Sequence, residues 1–203
     1  MNATLTPPRA RLAVLASGRG SHLRHLYKAC NQGILDAQIC LVVSNNIRSS
    51  AWRFAASEGL PHWFCDTSHD AKDSAVDAAL AACLLEHRID WVITAGYLKK
   101  IGPSTLAAFP NKIINIHPAL LPNYGGAGMY GQNVHRAVLA ANERQSGATV
   151  HYVTAHYDEG AIIAQNHVTI TQGMTPDSLA EAILKIEHPL LVHALQVLLT
   201  HHD

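Results

Sequence analysis

Apolar positions come in short blocks separated by glycine, proline and polar turns, and the blocks alternate between two periods. Residues 12–16, Leu-Ala-Val-Leu-Ala, are continuously apolar, which predicts a strand buried on both faces. A tight glycine loop, residues 17–21, follows. Leu23, Leu26, Tyr27 and Cys30 then recur at helical spacing up to Asn31. Residues 39–43 predict a second strand, 50–58 a helix stopping at Gly59, and 63–65 a short third strand. An alanine-rich helix is predicted over 71–87, a fourth strand over 91–95, a short helix over 103–108 and a fifth strand over 113–117. Pro103 suits a first helical turn, where its missing N–H has no intrahelical use. This order predicts an α/β fold, a mostly parallel twisted sheet flanked by helices.

After Pro122 the pattern changes. Residues 123–131 read as a glycine-rich loop and 134–141 as a helix. Residues 149–153 and 162–170 alternate as antiparallel strands do, and 176–199 predict a long closing helix. The expectation is one domain over 1–203, with a tail at 1–10 and two halves meeting near residues 117 and 118.

Composition narrows the function. The chain has 203 residues, 48% of them hydrophobic, and its 15 basic and 15 acidic residues cancel. No basic stripe is evident, so no nucleic-acid partner is expected. Neither a secretory apolar region nor an apolar run near the ~20 residues of a membrane span stands out, so no membrane partner is expected. Cys30, Cys40, Cys65 and Cys83 show no ligand-like spacing and read as reduced thiols of a cytoplasmic protein. The many histidines, among them His151, His156 and His167, share no ligand spacing, so no metal is expected.

The strongest chemical signal is Asn115-Ile116-His117-Pro118. Residues two apart on a strand share a face, so Asn115 and His117 point the same way. Pro118 ends the strand. An amide donor beside an imidazole can hold a developing oxyanion and handle a proton. On spacing alone, a histidine satisfied by the core fits equally well. Gly18-Arg19-Gly20-Ser21 follows a strand and opens a helix, as anion-binding loops do. Position 23 is Leu and no P-loop lysine follows, which suits a single phosphate; a plain turn has the same look. Asp158, in Tyr157-Asp158-Glu159-Gly160, can reach His117 or simply form a turn. Glu187-His188 reads in isolation as a solvated pair on a helix face. Lys99-Lys100 reads as solvated, or as steering an anion.

Several motifs in order resemble phosphoribosylglycinamide formyltransferases, folate-dependent enzymes of purine synthesis. They are the 17–21 loop, Thr94-Ala95-Gly96-Tyr97, the block from Asn115 to Pro122, His135-Arg136-Ala137-Val138, Gly147-Ala148-Thr149-Val150-His151 and Asp158-Glu159-Gly160. The resemblance runs from about Leu12 to Leu199. It implies a Rossmann-like formyltransferase fold, 10-formyltetrahydrofolate as co-substrate and glycinamide ribonucleotide as acceptor. It implies His117 as general acid, Asn115 as oxyanion donor and folate contact, and Asp158 as the group raising the His117 pKa. Arg19, Gly20, Ser21 and His22 map to the phosphate loop, with His22 where relatives usually have Asn. Glu187 maps to an acidic substrate contact. Leu98, Lys99, Lys100 and Ile101 map to the backbone that holds the pterin, and Lys72 to a basic folate contact. The expected state is a monomer or homodimer. Rivals are a methionyl-tRNA formyltransferase, a formyltetrahydrofolate hydrolase, an amino-sugar formyltransferase and a non-catalytic folate-binding module. The first two would carry further domains.

Overall fold

The computed structural model describes residues 9–66 and 73–200. Its strands are β1 (Ala10–Leu15), β2 (Ala37–Ser44), β3 (His62–Phe64), β4 (Trp91–Thr94), β5 (Ile113–His117), β6 (Gln145–Tyr152) and β7 (Ile162–Thr169). Its helices are α1 (Ser21–Asn31), α2 (Ser50–Ser57), α3 (Asp73–Glu86), α4 (Pro103–Ala108), α5 (Gln132–Ala140) and α6 (Pro176–Thr200). The strands form one sheet in the order β3-β2-β1-β4-β5-β6-β7. The first five run parallel, and β6 and β7 are antiparallel to their neighbours.

Both sheet faces are covered, as continuous apolar strands require. Leu12 and Val14 enter one core with α1, α2, α5 and α6, while Ala13 and Leu15 enter the other beneath α3 and α4. That is the two-residue period of a strand. β6 starts at Gln145, ahead of the predicted 149. Glycine is needed at position 147 for packing. A Cβ at Gly147 would overlap the Asn166 carbonyl oxygen on β7.

α6 corrects the membrane reading in one respect: by length and composition it is long and apolar enough to cross a bilayer. Its Leu179, Ile183, Leu190, Leu191, Ala194 and Leu195 are instead part of the core against the sheet.

The strand order reverses between β1 and β4, since β1 leads outward to β2 while β4 lies on its other side. Loops leaving strands on either side of such a point diverge and open a crevice at the carboxyl ends. The two loops are tied together there. Ser17 N–H donates to the Gly96 carbonyl at 3.1 Å, and Leu98 N–H to Ser17 Oγ at 3.4 Å.

One contact fixes the rim of this crevice. α4 starts at Gly102 without a cap from its own side chain, and Asp77 of α3 supplies one. Ser104 N–H donates to Asp77 Oδ2 at 2.6 Å, Thr105 N–H to Oδ1 at 3.3 Å, and Thr105 Oγ1 to Oδ1 at 2.6 Å. Burial pushes the Asp77 carboxyl up, but these bonds outweigh it and hold it below the usual range.

Candidate active site

A cleft of about 660 Å³ opens at the carboxyl ends of β1, β4 and β5. Arg19, His22, Leu98, Lys99, Lys100, Ile101, Asn115, His117, Asp158 and Glu187 all line it. Gly20 and Ser21 lie between Arg19 and His22 at the start of α1, without lining the cleft. Lys72 lies outside the described residues.

Sheet register builds the centre. Thr94 of β4, Asn115 of β5 and His151 of β6 are register partners on three adjacent strands. Thr94 Oγ1 donates to Asn115 Oδ1 at 2.8 Å, and Asn115 Nδ2 lies 3.1 Å from His151 Nε2. His151 Nδ1 is 2.9 Å from the Tyr152 carbonyl oxygen, which can only accept. Nδ1 therefore carries the proton, and Nε2 is left to accept from the Asn115 amide. That fixes which way the amide faces. Its second N–H has no partner among the described residues, so it remains for a ligand.

His117, two residues on, is buried. Its Nε2 donates to the Tyr124 carbonyl at 2.8 Å, and its Nδ1 lies 3.5 Å from Asp158 Oδ2. Asp158 also stands 3.5 Å from His151 Nε2 and accepts from Gly126 N–H at 3.0 Å. Tyr124 and Asp158, the two residues that hold His117, both have φ 58°, in the left-handed region. Such conformations cost of order 1–3 kcal/mol and cluster at functional sites. Asp158 tolerates this better than most residues, which is one reason a carboxylate sits in this loop.

Burial lowers the His117 pKa, and the Asp158 charge and the Tyr124 carbonyl oppose it without prevailing. The net direction is down, which favours the neutral imidazole. Asp158 acts in the expected direction but is outweighed. Burial also raises the Asp158 carboxyl. Its surroundings, with the Gly126 N–H donating to Oδ2, outweigh that and leave it ionised and below its ordinary value.

The other end of the cleft is an anion-type site. α1 begins at Gly20, in the left-handed region, with no side-chain cap and no acidic residue in its first turn. Its first N–H groups are thus unclaimed by side chains. A Cβ at Gly20 would stand 2.8 Å from Ala51 Cα, so α2 packs where only glycine fits. Glu187 faces this end, buried at 7% exposure, and its Oε2 is 3.4 Å from His22 Nε2. This overturns the reading of Glu187-His188 as a solvated pair. Leu179, Ile183, Glu187, Leu190 and Leu191 share the buried stripe of α6, a spacing visible in the sequence.

Sequence reasoning named His151 and His135 in its motifs but gave neither a role in the site. Both are buried and line the cleft. A histidine inside a strand gives no local sign that it faces an amide on the next strand. The glycine-rich loop after Pro122, whose role was open, contributes residues 126–131 to the cleft wall. Leu98, Tyr130 and Tyr157 are exposed at the cleft, with Lys100 Nζ 5.6 Å from the Tyr157 ring centre.

Comparison with known proteins places this geometry. The formyl transferase family profile matches residues 10–195. A chloroplastic phosphoribosylglycinamide formyltransferase of Arabidopsis thaliana is 40% identical over 93% of this chain, and one of Vigna unguiculata 37% over 98%. The chain spans 65% and 64% of the length of these plant proteins. Among solved structures, glycinamide ribonucleotide transformylase 1 of Symbiobacterium toebii superposes with a TM-score of 0.89 at 33% identity, over 96% of this chain and 90% of the other. Phosphoribosylglycinamide formyltransferase of Bacillus halodurans gives 0.88 at 30%, over 95% and 97%.

Proposed function

Because the chain belongs to the formyl transferase family, we propose that it moves the formyl group of 10-formyltetrahydrofolate to the amine of N1-(5-phospho-D-ribosyl)glycinamide. The products are formylglycinamide ribonucleotide and tetrahydrofolate. The observation that carries this reading is the buried His117, placed between the Tyr124 carbonyl and the Asp158 carboxylate beside an Asn115 amide with a free N–H.

The proposed steps follow from that arrangement. The acceptor amine attacks the formyl carbon, and the carbonyl π pair moves to oxygen. The free N–H of Asn115 donates to that oxyanion. His117 Nε2–H is committed to Tyr124, so Nδ1 carries the lone pair and takes the proton that the amine sheds. The imidazolium so formed faces Asp158 and the new oxyanion, and both favour it. As the tetrahedral intermediate collapses, the bond from carbon to N10 breaks and Nδ1–H protonates N10. Protons balance, and His117 returns to its neutral state. It is thus a base first and an acid second, where the resemblance implied an acid alone.

In this reading the start of α1 with Arg19, Gly20, Ser21 and His22 takes the acceptor's phosphate, and Glu187 its hydroxyls or amine. The backbone of Leu98, Lys99, Lys100 and Ile101 takes the pterin, and the exposed Tyr130 and Tyr157 flank the outer part of the donor. His117→Ala tests the assignment: turnover should fall by about 100- to 10,000-fold with the circular dichroism spectrum retained. Unchanged kcat in a folded variant would remove His117 from the mechanism.

A further inference from the structure

Three histidines meet at the acceptor end. The His22 ring lies edge-on to His188 at 5.0 Å, and His188 stacks on His25 at 4.8 Å with 13° between planes. Three imidazoles in contact do not all carry protons, because like charges repel. Burial pushes His188 down to about 4, with His22 and His25 adding to the effect. Burial also lowers His25, helped by His22 and Lys28. Those two rings therefore stay neutral near pH 7. A buried carboxylate faces His22: Glu187 Oε2 is 3.4 Å from its Nε2. Nε2 is enclosed and makes no aligned hydrogen bond.

This geometry creates a conflict that a phosphate must resolve. A dianion at the start of α1 would approach the Glu187 carboxylate. A helix N-terminus offers only about half a positive charge, and Arg19 is the neighbouring cation of the loop. α2 presents Phe54 and the Ser50 carbonyl to α1, to Tyr27 and Arg24, and supplies no counter-charge to His22. His135 of α5 interacts with Glu187 but is itself held neutral by burial.

We propose that binding of the acceptor's phosphomonoester is coupled to protonation of His22, whose imidazolium stands between the anion and the Glu187 carboxylate. Nε2–H then faces Glu187, and Nδ1–H is available to the phosphate side. The proton comes from solvent, and no bond other than N–H is made. An asparagine at this position, as in the family resemblance, can donate a hydrogen bond but cannot bring a charge. His22 thus makes recognition of the phosphate pH-dependent in this chain. The inference rests on the reading of the start of α1 as the phosphate site.

The test is calorimetric titration of the whole protein with ribose 5-phosphate, which has the phosphate but no acceptor amine. Between pH 7.0 and 8.5 a phosphomonoester, with its second pKa near about 6, stays dianionic. Titrations in two buffers of unlike ionisation heat count protons taken up. The wild type should take up a proton fraction and bind more weakly as pH rises, by at most about tenfold per unit. His22→Asn should bind with no uptake and a flat profile, and Glu187→Gln should lose most of the uptake. With the true acceptor, KM should rise with pH in the wild type and not in His22→Asn, kcat following the same profile in both. Binding with equal proton uptake in wild type and His22→Asn overturns the role of His22 while leaving the phosphate site standing. No binding by any of the folded proteins overturns both.

Discussion

The Asp158 carboxylate lies 3.5 Å from His117 Nδ1, yet the imidazole still ionises below the ordinary histidine range. The buried ring loses more hydration on charging than the facing anion returns. The same carboxylate is shared with His151 and the Gly126 N–H, so its field is not aimed at His117 alone. A ring balanced in this way gains its proton when a further negative charge, such as an oxyanion, develops beside it.

Replacing Asp158 with Asn should therefore push the His117 pKa further down. The carboxylate contribution raises it, and removing that leaves burial unopposed. Titration of nitrogen-15-labelled histidine by NMR in both proteins measures this. Equal values would refute the pairing. The imidazolium would also lose its partner, so kcat/KM should fall roughly 100-fold or more.

In the proposed mechanism His151 is a positioning residue, since its Nε2 lies 3.1 Å from the Asn115 amide and 3.5 Å from Asp158. His151→Phe keeps the bulk and removes both contacts. Misplacing a reacting group by about 1 Å costs about 100-fold, so kcat should fall by that order. KM for the acceptor should stay near the wild-type value, because the phosphate end is untouched. A rise in acceptor KM with kcat unchanged would contradict this role.

The fold's outline was legible in local pattern. Continuous apolar runs gave β1, β4 and β5, and Pro118 marked the end of β5. Asn115 and His117 were legible for the same reason, since a two-residue spacing on a strand fixes a shared face. What local pattern could not carry was pairing across strands. His151 faces Asn115 only because β6 runs antiparallel to β5 in one register. The sign of the His117 shift was hidden too, because burial is set by the whole sheet. Glu187 is the opposite case. Its place on the Leu179, Ile183 and Leu191 stripe was readable, but its charge argued for solvent.

Acid should destabilise the fold over a defined window. The folded pKa of His188 is about 4, against 6.5 for an ordinary histidine. A depressed pKa means its contribution is full above 6.5 and is lost as pH falls toward 4. Urea unfolding across that range should show a steeper loss in wild type than in His188→Gln. Parallel curves would mean that the ring cluster plays no part.

Asp77 holds the start of α4 from a neighbouring helix. Asp77→Ala should cost about 1–2 kcal/mol in urea unfolding at pH 7, the usual worth of a helix cap. Its carboxyl is held below the usual 3.8, so this contribution is present above that value and lost as pH falls through the lower folded value. The rim at residues 97–101 would loosen as well, raising KM for the folate donor more than for the acceptor. A variant as stable as wild type would contradict the cap.

The most direct test of formyl transfer is tetrahydrofolate release from 10-formyltetrahydrofolate with and without N1-(5-phospho-D-ribosyl)glycinamide. Release should depend on the acceptor and match formylated product mole for mole. Release at the same rate without acceptor would mark a hydrolase, and tight folate binding with no release in either case would mark a binding module; either result contradicts the transferase account.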